Sequence, residues 1–200
     1  MAYTPRDKER LLAFYDDLFE NHGPRSPHAV SWMSAATQGV RFTVLAEVGD
    51  MRGRSVLDVG CGLGDLFPVL KAKYETIDYT GIDVSESYIV AAREKYREAT
   101  FEVSDFADYT GSADFVLASG ALTFKVEKAQ EVYFEMVRKM FERARIALAF
   151  NMLNREEHID DETFTTYTIS EVEKFCRTLT ADVVVRTDYL RHDFTVYLYH

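Results

Sequence analysis

The sequence predicts an α/β fold: a doubly wound, mostly parallel seven-stranded sheet with helices on both faces, an antiparallel final strand and a helical N-terminal extension. Three observations carry that expectation. From Ser55 onward, short apolar runs alternate with longer stretches whose apolar residues recur at helical spacing, the pattern of successive βα units. The last two apolar runs are separated by too few residues for a crossover helix, so their pairing should be antiparallel. Before Ser55 the pattern is helical only.

The elements follow in order. Residues 6–20 place Leu11, Leu12, Tyr15, Leu18 and Phe19 at helical spacing. NHGPRSP, at 21–27, holds a glycine and two prolines and breaks that helix. A second helix is expected over 29–48, stopped by Gly49. SVLDV (55–59) reads as a buried strand, followed by a glycine-rich turn and a helix over 65–73. YTGIDV (79–84) is the second strand, and the helix after it gathers Tyr88, Ile89, Ala92 and Tyr96 on one face. ATFEVSD (99–105) and ADFVLASG (113–120) are strands three and four. A helix over 126–142 turns Val126, Ala129, Tyr133, Met136, Val137 and Met140 toward the core. RIALAFNM (145–152) is strand five, and a helix over 169–177 precedes the closing runs DVVVRTDY (182–189) and DFTVYLYH (193–200). No repeat, low-complexity tract or linker interrupts the pattern. The chain therefore reads as one domain, 1–200, with a helical lid or extension over 1–48 and the sheet-bearing core over 49–200.

Bulk properties narrow the function. Two hundred residues can bury one substantial core. A formal net charge of −10 argues against a nucleic-acid backbone as partner, because phosphate binding needs clustered Lys and Arg. The two cysteines, Cys61 and Cys176, have no CxxC or metal-type spacing, which suits a reducing cytoplasm and gives no metal site. MAYTPRDKER has no apolar leader pattern, and no 18-residue apolar run occurs, so no membrane span is expected.

The stretch SVLDVGCGLGDLF is the chemical signal. Gly60, Gly62 and Gly64 follow a strand whose fourth residue is Asp58. Ligands of a doubly wound sheet bind beyond the carboxyl ends of the strands, so this turn marks the expected site. A dinucleotide fingerprint needs a third small residue where this chain has Asp65. Two carboxylates thus flank the turn. They would repel a pyrophosphate and attract a cation.

With these residues the chain resembles the class I (Rossmann-like) S-adenosylmethionine-dependent methyltransferases, in particular their small-molecule type 11/12-like branch. The first motif of that family is an acidic residue followed by GxGxG, here Asp58-Val59-Gly60-Cys61-Gly62-Leu63-Gly64. The similarity runs over 41–200. It implies S-adenosylmethionine as cofactor, a phosphate-free molecule with an ammonium and a sulfonium, and S-adenosylhomocysteine as product. It implies that Asp83, beside Val84 in GIDVS, holds the ribose hydroxyls. Ser104, Asp105 and Phe106 in VSDF would sit at the adenine, and Ser119, Gly120 and Ala121 in ASGAL at the methionine end. Cys61 would face the ligand through its backbone. Arg41, 17 residues before Asp58, would grip the methionine carboxylate, as a guanidinium can do with two bonds. Local alternatives stay open: Asp83 also suits a helix N-terminus, Asp105 a capping turn and Arg41 a solvated helix face.

For the acceptor, Tyr15 and Trp32, with Phe14 and Phe19, could form an aromatic lid over the sulfonium or simply pack against the sheet edge. Asn151, Met152 and Tyr167 are pocket candidates from topology alone. His22, His28 and His158 are the histidines considered as a base, and none is assigned. The ASGALTF segment lacks the (N/D)PP(Y/F) turn of amino-methylating nucleic-acid enzymes. No Pro-Cys nucleophile for cytosine methylation and no paired glutamates for arginine methylation occur in the corresponding places. A small-molecule acceptor methylated by in-line displacement is the expectation. The alternatives are a non-catalytic protein that binds the same cofactor as a regulator, and a nucleotide-cofactor oxidoreductase on a similar sheet.

Overall fold

The computed structural model describes residues 3–24, 26–31, 34–157 and 162–200; Trp32 and His158 lie outside them. Helix α1, Pro5–His22, starts at Thr4, whose hydroxyl accepts from the Asp7 amide, with Pro5 at the first helical position. A short 3-10 turn spans Pro27–Val30, and α2 spans Ala35–Leu45. The single helix expected over 29–48 is therefore divided. Ser31 takes a left-handed φ of 61°, which no helix interior accepts, and Ser34 then caps a new start by accepting from the Thr37 amide.

The core alternates β1 (Ser55–Val59), α3 (Leu66–Tyr74), β2 (Asp78–Asp83), α4 (Glu86–Lys95), β3 (Thr100–Val103), β4 (Ala113–Ala118), α5 (Ala129–Arg143), β5 (Ala144–Leu153), α6 (Ile169–Cys176), β6 (Val183–Arg186) and β7 (Asp193–Tyr199). The seven strands form one sheet in the order β3-β2-β1-β4-β5-β7-β6. Every pairing among β1 to β5 is parallel, and β7 lies antiparallel between β5 and β6. Strand β6 is shorter than the 182–189 run, and Met136 is half-buried rather than in the interior.

Helices cover both faces. On one, α2 and α3 bury Phe42, Leu45, Leu66 and Leu70 against Val56 and Leu117. On the other, α5 and α6 bury Tyr133, Val137, Met140 and Val172 against Leu57, Val116 and Leu148. Both faces of β5 are thus covered, which explains why RIALAFNM is apolar throughout instead of alternating. The strand order reverses between β1 and β4, so the crevice beyond their carboxyl ends is where the fold leaves room for a ligand.

Candidate functional site

A cavity opens at that reversal. The turn after β1 forms its floor. Gly60 has φ 71°, and a Cβ there would stand 2.6 Å from the Cβ of Ala121, in the loop leaving β4. Gly64 has φ 74°, and a Cβ would stand 2.6 Å from the Phe101 ring of β3. The first glycine lets the β1 and β4 exits meet, and the third lets the turn pack on the neighbouring strand. Gly64 does not line the cavity.

The amides of this turn are already bonded. Gly60 and Cys61 donate to the Ile82 carbonyl at 2.9 and 3.0 Å, and Gly64 donates to the Cys61 carbonyl at 2.9 Å. Gly62 donates to Asp83 Oδ2 at 2.9 Å. An anion-binding nest needs free amides pointing at the ligand. Here four of them point into the protein, and a carboxylate occupies the place a phosphate would take.

Asp83 closes β2 with both oxygens engaged, since Oδ1 accepts from the Ser85 amide at 2.9 Å. Each oxygen keeps further lone-pair capacity for donors from the cavity. Burial pushes the Asp83 carboxyl up, and bonds from Ser85, Gly62 and Val84 amides oppose that shift. Asp58, only 2% exposed, stands in the middle of the sheet. Burial pushes its carboxyl up to about 7; the Tyr79 hydroxyl, donating to Oδ2 at 2.6 Å, opposes this, and the Asp83 charge adds to it. Asp65 also lines the cavity, but its carboxylate is engaged by Lys95 and by the Tyr96 hydroxyl, the latter at 2.9 Å.

The exits of β2, β3 and β4 supply the walls. Val84, Ser104, Asp105, Phe106, Ser119 and Gly120 all border the cavity, as do Cys61 and Gly62. Asn151 on β5 braces the β4 exit: its Oδ1 accepts from the Gly120 amide at 2.9 Å and its Nδ2 donates to Ser119 Oγ at 3.1 Å.

Helix α1 covers the opening. Leu11, Leu12 and Tyr15 face into the cavity, with Tyr3 just before the helix. Lys8 pairs with Asp105 at 2.8 Å, and Ser87 donates to Asp16 at 3.2 Å. The Tyr88 hydroxyl of α4 meets the carbonyls of Tyr15, at 2.9 Å, and of Ala29. Phe14 and Phe19 pack instead against Phe124 and Tyr88, at centroid distances of 5.5 Å each.

Three of the expected residues lie elsewhere. Arg41 is buried in a neighbouring cavity, its guanidinium paired with Asp193 and donating to the Thr37 carbonyl at 3.3 Å. Asn151 borders that second cavity. Tyr167 lines neither cavity and is buried, stacked on Phe134 at 6.2 Å, with its backbone paired beyond the end of β5. His22 and His28 lie ring to ring at 5.5 Å, away from both cavities. The residues that sequence reasoning missed are Tyr3, Gln38, Phe124, Thr123, His192 and Asp193. Only Asp193 carried a signal: an acidic first residue of an antiparallel strand lies beside the carboxyl end of its parallel neighbour. Among the described residues, no group of three or more His, Cys, Asp or Glu side chains could hold a metal, and no helix is long and apolar enough to cross a membrane.

Residues 56–144 match the family model described as a methyltransferase domain. The trans-aconitate 2-methyltransferase of Delftia acidovorans is 33% identical over 84 residues, 40% of this chain and 31% of that enzyme. That of Rhizobium meliloti is 29% identical over 106 residues, 53% and 38% of the two chains. The alignments thus span about a third of the length of these curated relatives. Among solved structures, magnesium protoporphyrin IX methyltransferase from Synechocystis with bound S-adenosylmethionine superposes with a TM-score of 0.70 at 18% identity, covering 96% of this chain and 95% of that one. The plantazolicin methyltransferase BpumL, bound to a substrate analogue and S-adenosylhomocysteine, gives 0.69 at 15% identity, with 96% of each chain covered. At these identities the likeness is one of fold.

Proposed function

We propose that this chain is a class I methyltransferase that binds S-adenosylmethionine in the α1-covered cavity and transfers its methyl group to a small molecule, a reading supported by the family match over 56–144 and by the fold. One observation carries the reading: the glycine turn gives its amides to the protein and sets Asp83 and Asp58 in the cavity, an arrangement made for a cation and hydroxyls rather than a pyrophosphate. In this reading the Asp83 oxygens accept from the ribose hydroxyls, Phe106 and Asp105 meet the adenine, and Asp58 lies toward the ammonium. Ser119 and Gly120 border the methionine end.

The transfer itself asks for alignment. The acceptor atom approaches the methyl carbon opposite sulfur, the carbon–sulfur bond breaks, and the pair stays on sulfur. Holding the partners in line and excluding water supplies most of the acceleration. The α1 segment suits that exclusion, and the helical extension over 1–48 supplies the lid through that segment in this reading. A net charge of −10 speaks against nucleic acid as acceptor, and the two free cysteines suit a cytoplasmic setting.

Calorimetry with S-adenosylhomocysteine and, separately, NAD tests the proposal. Micromolar-range binding of the first and none of the second is expected. Tight NAD binding without the thioether would overturn it.

A further inference from the structure

The second cavity shares Tyr15 and Gly120 with the first, so the two meet at the end where the methyl group would lie. Among the described residues, its charged side chains are Arg41, His192 and Asp193. His192 and Asp193 are set by the β5–β7 junction, and Arg41 reaches them from α2. Asp193 begins β7 opposite Leu153, and the His192 carbonyl accepts from the Asn154 amide at 2.9 Å. His192 Nε2 stands 3.5 Å from Asp193 Oδ2, with His192 one-third exposed and Asp193 buried. The same carboxylate pairs with the Arg41 guanidinium.

We propose that this cavity is the acceptor site, that the acceptor is a neutral hydroxyl compound such as a phenol, and that His192 is its general base. The inference rests on the methyltransferase reading of the first cavity. Asp193 Oδ2 faces the Nε2 side of the ring at 3.5 Å, which leaves Nδ1 for the acceptor hydroxyl. As the hydroxyl oxygen attacks the methyl carbon, its proton passes to His192 Nδ1, and the exposed third of the ring releases it to water. The other ionisable groups nearby are Tyr15, across the cavity, and Tyr189, whose hydroxyl bonds Thr195 Oγ1 at 2.8 Å.

The charge balance also selects the acceptor. Arg41 is committed to Asp193, so a tricarboxylate would find the guanidinium of this cavity already paired. Phe164 and Tyr15 instead offer aromatic walls, and Thr123 and Asn151 offer polar contacts.

The test uses the full chain with S-adenosylmethionine and three probes: phenol, catechol and trans-aconitate. Methyl ethers of the hydroxyl probes are expected, with no ester of trans-aconitate. His192→Gln should lower kcat at neutral pH by about a hundredfold, the usual scale for a lost general base, with S-adenosylhomocysteine affinity unchanged. The deficit should shrink as pH rises toward the acceptor's own pKa, where the oxyanion needs no base. Transfer to trans-aconitate alone, no transfer to either hydroxyl probe, a full-rate variant, or a loss uniform across pH would each overturn the proposal. A wild-type chain that binds no S-adenosylhomocysteine would instead overturn the reading beneath it.

Discussion

Replacing Asp58 by Asn should stabilise the ligand-free protein, and by an amount that depends on pH. The carboxyl is held at about 7 in the folded chain, against an ordinary value of 3.8, mainly by burial. The unfolded state therefore gives up this proton at lower pH than the folded state does. Well below 4 both states are protonated and the group costs nothing; the cost grows as pH rises and levels off above about 7. A gap of about 3 units corresponds to about 4 kcal/mol at full ionisation, more than half of which develops between pH 5 and pH 8. Asparagine does not ionise, and its carbonyl can still accept from the Tyr79 hydroxyl that now bonds Oδ2. Urea denaturation of both proteins at pH 5 and pH 8 measures the difference directly. The stability gap in favour of Asp58→Asn should widen by about 2–3 kcal/mol between the two. A gap that stays constant would mean that Asp58 titrates normally and that its burial is not the cost argued here. The same linkage governs ligand binding. A cation beside Asp58 lowers its pKa, so wild-type affinity for S-adenosylmethionine should fall as pH drops below about 7, by up to about tenfold per unit. In Asp58→Asn affinity should be weaker and flat with pH.

Asp83→Ala should weaken S-adenosylhomocysteine binding at least about tenfold by calorimetry, since charge-assisted bonds contribute about 1.5–3 kcal/mol each. It should also cost stability, because the Gly62 and Ser85 amides lose their acceptor. Gly64→Ala should destabilise the fold by about 1–3 kcal/mol in urea melts, as it combines a left-handed φ with a clash on the Phe101 ring. Tyr88→Phe removes the hydroxyl that holds the Tyr15 and Ala29 carbonyls. It should cost about 1–2 kcal/mol and speed hydrogen exchange in α1 more than in the sheet.

How far the sequence could be read depended on distance along the chain. The β1 turn and Asp83 were legible because 55–83 is one contiguous βα unit, and its glycines report a backbone need that no other residue meets. The antiparallel β7 followed from a short connection. The division of the 29–48 helix was not legible: periodicity continues through Ser31, and only its positive φ interrupts the helix. The Arg41–Asp193 pair joins residues on α2 and β7, and nothing local to either marks the other. Helical spacing in α1 announced a buried face. It did not announce that Lys8 would reach Asp105, since that contact depends on where the helix docks.

The two carboxylates of the first cavity explain why such a costly arrangement persists. Each has partial support, Asp58 from one hydroxyl and Asp83 from the Ser85, Gly62 and Val84 amides, and burial still raises both. The Asp83 charge adds to the cost of Asp58. A ligand carrying phosphate would add a third negative charge to this unbalanced pair. One carrying an ammonium and a sulfonium removes the imbalance and gains the attraction that water would otherwise screen. Stability lost in the empty site thus returns as selectivity when a cation fills it, which is why Asp58→Asn is expected to gain the first and lose the second.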